Sequence, residues 1–432
     1  MKSVKKRFSN FSQSAHCEAY AVRPSRETEL SDVFHAFPEK KLLARGQGLS
    51  YSDCCLLDEQ VLIDTQNLNH LLEFNAENGI LVCQGAATFK DLLLVDPNFI
   101  PPVIPGTLHA TVAGGVANDV HGKNNHKAQS FGHHIAWLEL QISEKCYHCS
   151  PTHHQDLFWA TIGGVGLTGI IKRVGIRMQQ KTPWVEKKTQ AFQSLQHLLQ
   201  AMQEQGIHYD YQVAWLDLLN QPNALLTFAN HISGNQAVIE HAPKPFCVPK
   251  LPLRVITPWM IKQFNRFLFY FSHKSPEIIP LWQFNNPLDR ISHWNYVYGS
   301  RGLLQFQAVF PTQTAFKTLE TLISLIKSHR AQPMLCVLKY FTQPGKGMLS
   351  FVEPGFTLAL DFINTPQARK AITAMNQTVA EIGGKVYLAK DLLLNPQQFS
   401  NMYTNHQNFF DILEKYQSPM YSDLAKRLGF SI

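Results

Sequence analysis

The stretch from Pro105 to His126, PGTLHATVAGGVANDVHGKNNH, constrains the fold most, because it contains almost no long apolar side chain and cannot supply much of a hydrophobic core. Glycine lacks a Cβ atom, so backbone rich in glycine can approach a large flat ligand closely. Two more glycine-bearing segments flank it, ARGQGLSYSD at 44–53 and GGVGLTGII at 163–171. Free amides in such loops suit a pyrophosphate, although ARGQGLSYSD matches neither the P-loop nor the GxGxxG fingerprint. The three segments together predict an enzyme that binds an extended cofactor.

Composition indicates a globular protein whose ligands are not nucleic acids. Of the 432 residues, 45% are hydrophobic and 16% are charged, and the length is sufficient for two domains. The formal charge of +7 is spread along the chain, whereas nucleic-acid-binding proteins concentrate basic residues on a recognisable module. We therefore expect no nucleic-acid partner. A modest positive charge suits an anionic ligand or an anionic membrane surface.

Targeting and metal-binding signals are weak. The N-terminus is basic but has no apolar segment typical of a secretory signal, and no run of apolar residues is long enough for a transmembrane helix. We expect a cytoplasmic or peripheral membrane protein. The eight cysteines have no disulfide-framework spacing, which indicates free thiols. Cys146 and Cys149 lie near His148, His153 and His154, but a second CxxC is missing. We predict a hairpin turn and no metal there, with metal binding by this cluster left open.

The order of elements predicts an α+β fold. IAWLELQI at Ile135–Ile142 is typical of a strand, and residues 157–178 predict a helix, a glycine turn and another strand. The composition shifts near Lys181. Beyond it, helical patterns such as AFKTLETLISLIKSH alternate with strands such as LLQFQAVF and FTLALDFI. This alternation predicts a second domain with an antiparallel or mixed sheet covered by helices.

The segment from Lys250 to Lys274 interleaves aromatic and aliphatic residues with Arg254, Lys262 and Arg266. One interpretation is an amphipathic helix or flap that contacts a membrane. The other is a core helix whose basic side chains extend to solvent at its edge.

Several ordered motifs resemble those of a known enzyme family. They are RG-x-G-x-SY, PGT-x(4)-GG-x(4)-D-x-HGKN, SFG, LFWATIGG-x-GLTGI, HWNYVYG, LKYF, LDF, YLAKD and SDLAKRL, and they extend over nearly the whole chain. The set is similar to the flavin-dependent oxidases of the vanillyl-alcohol oxidase type, and within them to the decaprenylphosphoryl-β-D-ribose 2-oxidase family. The resemblance implies a PCMH-type FAD-binding domain of two α/β subdomains at 1–182. It also implies a substrate domain at 183–384 and a C-terminal segment at 385–432 that returns to the FAD-binding domain.

The resemblance also implies which residues contact FAD. They are Arg45, Gly46, Gln47, Gly48, Leu49, Ser50 and Tyr51 around the pyrophosphate; Gly106, Thr111, Val112, Ala113 and Gly114 along the cofactor; Asn118, Asp119 and His121 near the isoalloxazine ring; Ile170 at the adenine end; and Tyr387 from the C-terminal segment. Covalent members of the superfamily carry histidine where this chain has Leu49. Leucine has no nucleophile, so we predict non-covalent FAD.

Three residues are implied to be catalytic. Lys390 in YLAKD is the first candidate, either as the base that takes the hydroxyl proton or as a cation facing the reduced ring. His121 and Tyr51 are expected to position substrate or flavin. Without the resemblance, Lys390 alone would be interpreted as a surface lysine after a strand.

Four residues are implied to line the substrate pocket, namely Lys123, Lys339, Thr357 and Ala359. The two lysines are candidates for binding a phosphate or sugar oxygen. Ala359 stands where the best known members have a cysteine. Thr357 and Phe306 are expected to face the sugar, and their polarity departs from the family pattern.

The resemblance implies oxidation of a secondary sugar hydroxyl to a ketone. The expected substrate is the 2-hydroxyl of a polyprenyl-phosphate-linked ribose, with an NAD(P)H-dependent reductase as partner to complete an epimerisation. Two alternatives remain open: an aldonolactone or sugar-alcohol oxidase acting on a soluble substrate, and a non-catalytic flavin-binding, membrane-associated protein. The sugar, the lipid, the electron acceptor and the oligomeric state are not determined by the sequence.

Overall fold

The computed structural model describes residues 2–220, 223–232, 244–250, 254–272 and 276–430. The strands are β1 (Val4–Ser9), β2 (His16–Val22), β3 (Leu42–Arg45), β4 (Val61–Asp64), β5 (Leu71–Asn75), β6 (Ile80–Gln84), β7 (Phe99–Ile100), β8 (Ile135–Ile142), β9 (Lys145–Cys149), β10 (Ile170–Arg177), β11 (Gln179–Gln180), β12 (Trp184–Phe192), β13 (Tyr211–Asp217), β14 (Asn223–His231), β15 (Phe246–Cys247), β16 (Glu277–Pro280), β17 (Ile291–Ser292), β18 (Leu303–Phe310), β19 (Pro333–Phe341), β20 (Gly355–Ile363) and β21 (Lys385–Val386).

The α-helices are α1 (Leu30–Ala36), α2 (Phe89–Leu92), α3 (Val112–Ala117), α4 (Asn125–Ala128), α5 (Gln155–Thr161), α6 (Leu195–Glu204), α7 (Pro258–Phe271), α8 (Leu281–Asn285), α9 (Ala315–Ser328), α10 (Pro366–Glu381), α11 (Pro396–Met402), α12 (His406–Lys415) and α13 (Asp423–Arg427). Within the described residues, none of these helices has the length and hydropathy needed to cross a bilayer.

Two small sheets form the N-terminal part of the fold. The first has the order β1-β2-β4-β3, and β4 pairs in parallel with both β2 and β3. All four residues of β4, VLID, are buried, as expected for a parallel strand covered on both faces. The second sheet has the order β5-β6-β10-β8-β9 and is antiparallel. It contains the strand predicted at Ile135–Ile142, which is β8. Helix α5, a glycine turn and strand β10 follow one another in the predicted order, so both predictions are confirmed.

An eight-stranded antiparallel sheet forms the next part, in the order β16-β12-β14-β13-β19-β20-β18-β21. One face packs on α6, α9 and α10, where Leu338, Phe306 and Leu360 belong to the largest hydrophobic core. The mixed α+β fold class is therefore confirmed. On the opposite face, the half-buried Val337 and Ala359 alternate with the buried core residues of their strands.

The C-terminal segment connects the large sheet to the first small sheet. It begins with β21, which pairs with β18, and its later part returns to the N-terminal region through a parallel bridge between Leu42 and Met420. In α13, the guanidinium of Arg427 bonds the carboxylates of Asp53 and Asp391 at 2.8 and 2.9 Å. These contacts hold the loop around Asp391 against the N-terminal part. The domain boundaries at 182 and 384 stay predictions.

Candidate active site

The glycine-rich stretch at 105–126 contains the short helix α3 and the turns that precede and follow it. The Thr111 side chain accepts a hydrogen bond from the Gly114 amide at 3.1 Å and begins α3. A Cβ atom at Gly115 would lie 2.8 Å from the Phe89 ring, so glycine is required there for packing. Asp119 has a positive φ of 41°, and its carboxylate accepts bonds from the Gly132 amide and the Ser350 hydroxyl. These contacts fix the stretch against the rest of the protein.

The side chain of Arg45 holds the loop at 45–51 in place. Arg45 donates to the backbone oxygens of Cys55 and Ser9 at 2.8 and 2.9 Å, so its side chain holds the loop. Gly48 lies over the guanidinium with φ of +65°, and a Cβ atom there would come within 2.0 Å of Nη2. The Ser50 hydroxyl donates to the Ala389 carbonyl at 2.8 Å, which joins the loop to the C-terminal segment.

The two glycine segments meet beside open space at Gly106. A Cβ atom at Gly46 would lie 2.6 Å from Thr111 Oγ1, whereas one at Gly106 would meet no atom within 4 Å. Gly106 and Gln47 are exposed, and the rest of the 45–51 loop is half-buried. The buried Oδ1 atom of Asn118 has no hydrogen-bond partner. Open space at Gly106, an exposed loop at Gln47 and the unpartnered Asn118 Oδ1 atom fit an FAD molecule along this surface.

His121 lies at the centre of a cluster contributed by several elements. Its Nε2 atom is 2.9 Å from the Gln307 amide nitrogen of β18, and its Nδ1 atom is 3.5 Å from Lys339 Nζ of β19. Its ring contacts those of Phe341 and Tyr387, with centroids 4.8 and 5.7 Å apart. Tyr387 in turn donates to the Asn118 carbonyl at 2.9 Å. Burial, together with the charges of Lys339 and Lys390, holds the pKa of His121 well below its usual range, so the imidazole is neutral.

Lys390 extends from the C-terminal segment to the same cluster. Its Nζ atom lies 3.5 Å from the centroid of the Tyr51 ring, a cation–π distance. Burial lowers the Lys390 pKa to about 7, with Asp361 raising it and Lys339 lowering it. Burial likewise raises the Asp361 pKa, and the Gln305 amide donates to this carboxylate. An amine that changes protonation near neutral pH can accept or donate a proton there.

Two further lysines share this environment. Burial lowers the pKa of Lys339 to about 8. Burial and the charges of Lys339 and Lys187 lower the pKa of Lys123 to about 7. Lys123 Nζ donates to the Phe284 carbonyl and lies 4.6 Å from the Phe284 ring centroid. It therefore sits at the wall formed by α8, beside the cluster.

The remaining candidate residues divide into three groups. Thr357 lies close to the chemistry, because its hydroxyl accepts from the Gln307 amide at 3.3 Å, and Ala359 pairs with Gln307 across the sheet. Ile170 and Val112 are almost fully buried among apolar side chains, so only their backbone is placed to face a cofactor. The Asp119 carboxylate already accepts hydrogen bonds from Gly132 and Ser350, so only the backbone of Asp119 is placed to face a cofactor. Leu49, Ala113 and Gly114 are half-buried along the open surface.

One expectation about the sheet was wrong, and three polar residues were missed: Gln305, Gln307 and Asp361. Phe306 is 1% exposed and belongs to the helix-covered core, so it does not face the sugar side. Its neighbours Gln305 and Gln307 do, because successive residues of a strand point to opposite faces. The signal was present in LLQFQAVF, where two polar residues alternate within an apolar strand. Asp361 lies on the same face as Gln305, which it bonds.

The cluster at 146–154 lies away from this site. Lys145–Cys149 is strand β9 of a hairpin with β8, and the His148 ring contacts Trp137. Within the described part of the chain, no group of three or more His, Cys, Asp or Glu side chains is arranged to hold a metal ion.

Known proteins match this chain over most of its length. The FAD binding domain family matches residues 19–144. A decaprenylphosphoryl-β-D-ribose oxidase from Mycolicibacterium smegmatis is 31% identical over 414 residues, which cover 90% of this chain and 89% of the relative. The chain belongs to the decaprenylphosphoryl-β-D-ribose oxidase family. An uncharacterised protein from the mprA 5′ region of Streptomyces coelicolor is 25% identical over 362 residues, or 78% of this chain and 98% of that protein.

Membership of the decaprenylphosphoryl-β-D-ribose oxidase family settles the class of chemistry. The protein is an FAD-dependent oxidoreductase. Bound FAD supplies the two-electron acceptor that amino-acid side chains lack. The residues that would hold it are those of the 45–51 loop, the beginning of α3, and Asn118. The side chains gathered around His121 and Lys390 lie beside these residues.

Proposed function

We propose that this protein oxidises the 2-hydroxyl of a polyprenyl-phosphate-linked ribose to a ketone. The observation that carries the proposal is the convergence of Lys390, His121 and Lys339 beside the surface that fits FAD. Similarity to an oxidase of decaprenylphosphoryl-β-D-ribose supports this choice of substrate. The keto product would then need a separate NAD(P)H-dependent reductase to complete an epimerisation at that carbon.

Each residue of the cluster has a role in this reaction that its surroundings favour. The neutral Lys390 amine accepts the hydroxyl proton at Nζ, because its pKa is already near 7. Neutral His121, whose Nε2 atom accepts from the Gln307 amide, can donate from Nδ1 to a sugar oxygen without adding a charge. Lys339 and Lys123 offer positive charge to the phosphate or to sugar oxygens. Phe341 and Tyr387 exclude water from one side of the cluster.

Anaerobic mixing tests the substrate directly. FAD-loaded protein is mixed with a short-prenyl phosphoribose, and loss of flavin absorbance is followed with time. We expect bleaching by the lipid-linked sugar and none by free sugar alcohols or aldonolactones. Bleaching only by the free polyols would instead support an oxidase of soluble substrates. Lack of bleaching by either class, in protein that retains FAD, would support a flavin-binding protein without turnover.

A further inference from the structure

Helix α7 presents six large apolar side chains to solvent. They are Trp259, Met260, Phe264, Phe267, Tyr270 and Phe271, which we call the aromatic face of α7. Trp259 is 69% exposed and Tyr270 is 72% exposed. Residues 260, 264, 267 and 271 recur at helical spacing, with 259 and 270 beside them, so the six lie on one side of the helix. Contiguous exposed apolar surface of this kind marks an interaction site.

The opposite side of α7 is fixed, so the aromatic face cannot rotate inward. The buried Asn265 amide donates to the Asp217 carboxylate at 2.9 Å, and Phe269 is 5% exposed. Thr257 begins the helix by accepting from the Met260 amide at 3.2 Å, with Pro258 in the first turn. Because the apolar residues on the other side of the helix are exposed, the core-helix interpretation is wrong for residues 258–271. Residues 251–253 and 273–275 lie outside the described residues.

The buried side of α7 lies next to the candidate active site. Ile261 packs against a small cluster made by Tyr298, Leu303, Met334 and Ile363. Tyr51, whose ring contacts Lys390, packs against that same cluster. Whatever binds the aromatic face is therefore held on the outer side of a helix whose inner side adjoins the catalytic cluster.

Charge around α7 indicates what binds there. Residues 241–276 contain six lysines and arginines and no aspartate or glutamate. Lys262 and Arg266 are one turn apart at the edge of the aromatic face. An interfacial helix combines an apolar face rich in Trp, Phe and Tyr with basic residues at its border, which contact anionic headgroups. A uniformly anionic membrane surface fits this all-basic stretch better than a protein surface, which carries charges of both signs.

We propose that the aromatic face of α7 binds the surface of an anionic lipid bilayer, with the helix lying in the interface plane. The 14-residue helix is about 21 Å long, far too short to cross a bilayer but sufficient to insert its face among the headgroups. The proposal goes beyond the oxidation of a sugar and does not depend on it. Its consequence is that the candidate active site is held beside the membrane, where a lipid-linked substrate is located.

Vesicle co-sedimentation of the FAD-loaded full chain tests this proposal. We expect binding to vesicles of phosphatidylcholine with phosphatidylglycerol and much weaker binding to phosphatidylcholine alone. The double variant Phe264→Glu and Phe267→Glu should weaken binding to the anionic vesicles by about tenfold or more. Lys262→Gln and Arg266→Gln should each weaken it by about fivefold and reduce its sensitivity to salt.

The matched control is Phe316→Glu, which places the same charge on an exposed phenylalanine of α9, and it should bind vesicles like the unmodified protein. Lipids brominated on the acyl chain should quench tryptophan fluorescence on binding, and Trp259→Phe should lose most of this quenching. Equal binding of all variants, or none to anionic vesicles, would overturn the proposal. So would dimerisation that Phe264→Glu and Phe267→Glu abolish, if no vesicle binding accompanies it.

The outcome is separable from that of the proposed function. Vesicle binding without oxidation of a short-prenyl phosphoribose would remove only the substrate assignment. Oxidation of that soluble analogue without vesicle binding would remove only the membrane surface.

Discussion

Lys390 has two neighbours that shift its pKa in opposite directions, and this makes its role testable by pH. If the neutral amine is the base, the rate of flavin reduction by substrate should rise with pH through about 7. Asp361 raises this pKa, so Asp361→Asn should move the inflection to lower pH. Lys339 lowers it, so Lys339→Gln should move the inflection to higher pH. Stopped-flow measurement of the rate against pH gives all three inflections.

Lys390→Met supplies the complementary variant. We expect it to retain FAD and to lose nearly all turnover, because methionine occupies a similar volume without a proton acceptor. A rate that falls with rising pH in the unmodified protein would assign Lys390 the role of a cation instead. Full turnover of Lys390→Met with FAD retained would remove Lys390 from the mechanism.

We expect Gln307 to act as a positioning residue, so its loss should affect turnover more than substrate binding. The Gln307 amide is 2.9 Å from His121 Nε2, so Gln307→Leu leaves the imidazole without its partner and free to turn. Misplacement of this kind typically costs up to about a hundredfold in rate. We expect kcat to fall with little change in KM and with an unchanged flavin spectrum. Gln307→Glu, which keeps a hydrogen-bonding group, should recover part of the loss, whereas equal losses in both variants would argue against positioning.

The site could be predicted from the sequence only where a motif carried it. YLAKD and HGKN indicated Lys390 and His121, and the structure brings these two residues into one cluster. Gln307 and Asp361 were missed because their importance arises from pairing between strands distant in sequence. The error at Phe306 arose because a shift of one residue along a strand moves a side chain to the other face of the sheet.

A buried ion-pair network joins helix α13 to the part of the C-terminal segment that carries Lys390. Arg427 bonds both Asp53 and Asp391, and Asp391 follows Lys390 directly. Arg427→Met should leave two largely buried carboxylates unpaired and lower the free energy of unfolding by about 3 kcal/mol or more. It should also weaken FAD binding, because the 45–51 loop bonds Ala389 of the same segment. Chemical denaturation and fluorescence titration with FAD measure the two effects.

Lys5→Ala is the matched control for Arg427→Met. Its partner Glu59 is on the surface and both side chains are more than 40% exposed, so stability should change by less than about 1 kcal/mol. Equal effects of the two substitutions would show that the Arg427 network does not stabilise the fold.

Single elements with a clear local pattern could be predicted, but their arrangement could not. The alternation in IAWLELQI and the glycine turn after α5 depend on neighbouring residues alone. The order of the eight-stranded sheet depends on pairings such as β13 with β19, which join residues more than one hundred positions apart. For the segment at 250–274, composition allowed both a core helix and an interfacial helix. Only the buried contacts of Asn265 and Phe269 fixed which side of α7 faces solvent.

The residues expected to hold FAD come from three distant parts of the chain, so the cofactor should stabilise the whole molecule. The 45–51 loop, the 105–126 stretch and the C-terminal segment contact one another. A ligand that binds only the folded state stabilises it by about 2.7 kcal/mol at a hundredfold excess over its Kd. We expect Tm of the apoprotein to rise with added FAD and to keep rising with its concentration, because Leu49 offers no nucleophile for attachment. Acid precipitation should therefore release the flavin into the supernatant. A yellow pellet, or a Tm independent of added FAD in the apoprotein, would contradict reversible binding and require a covalent link from another side chain.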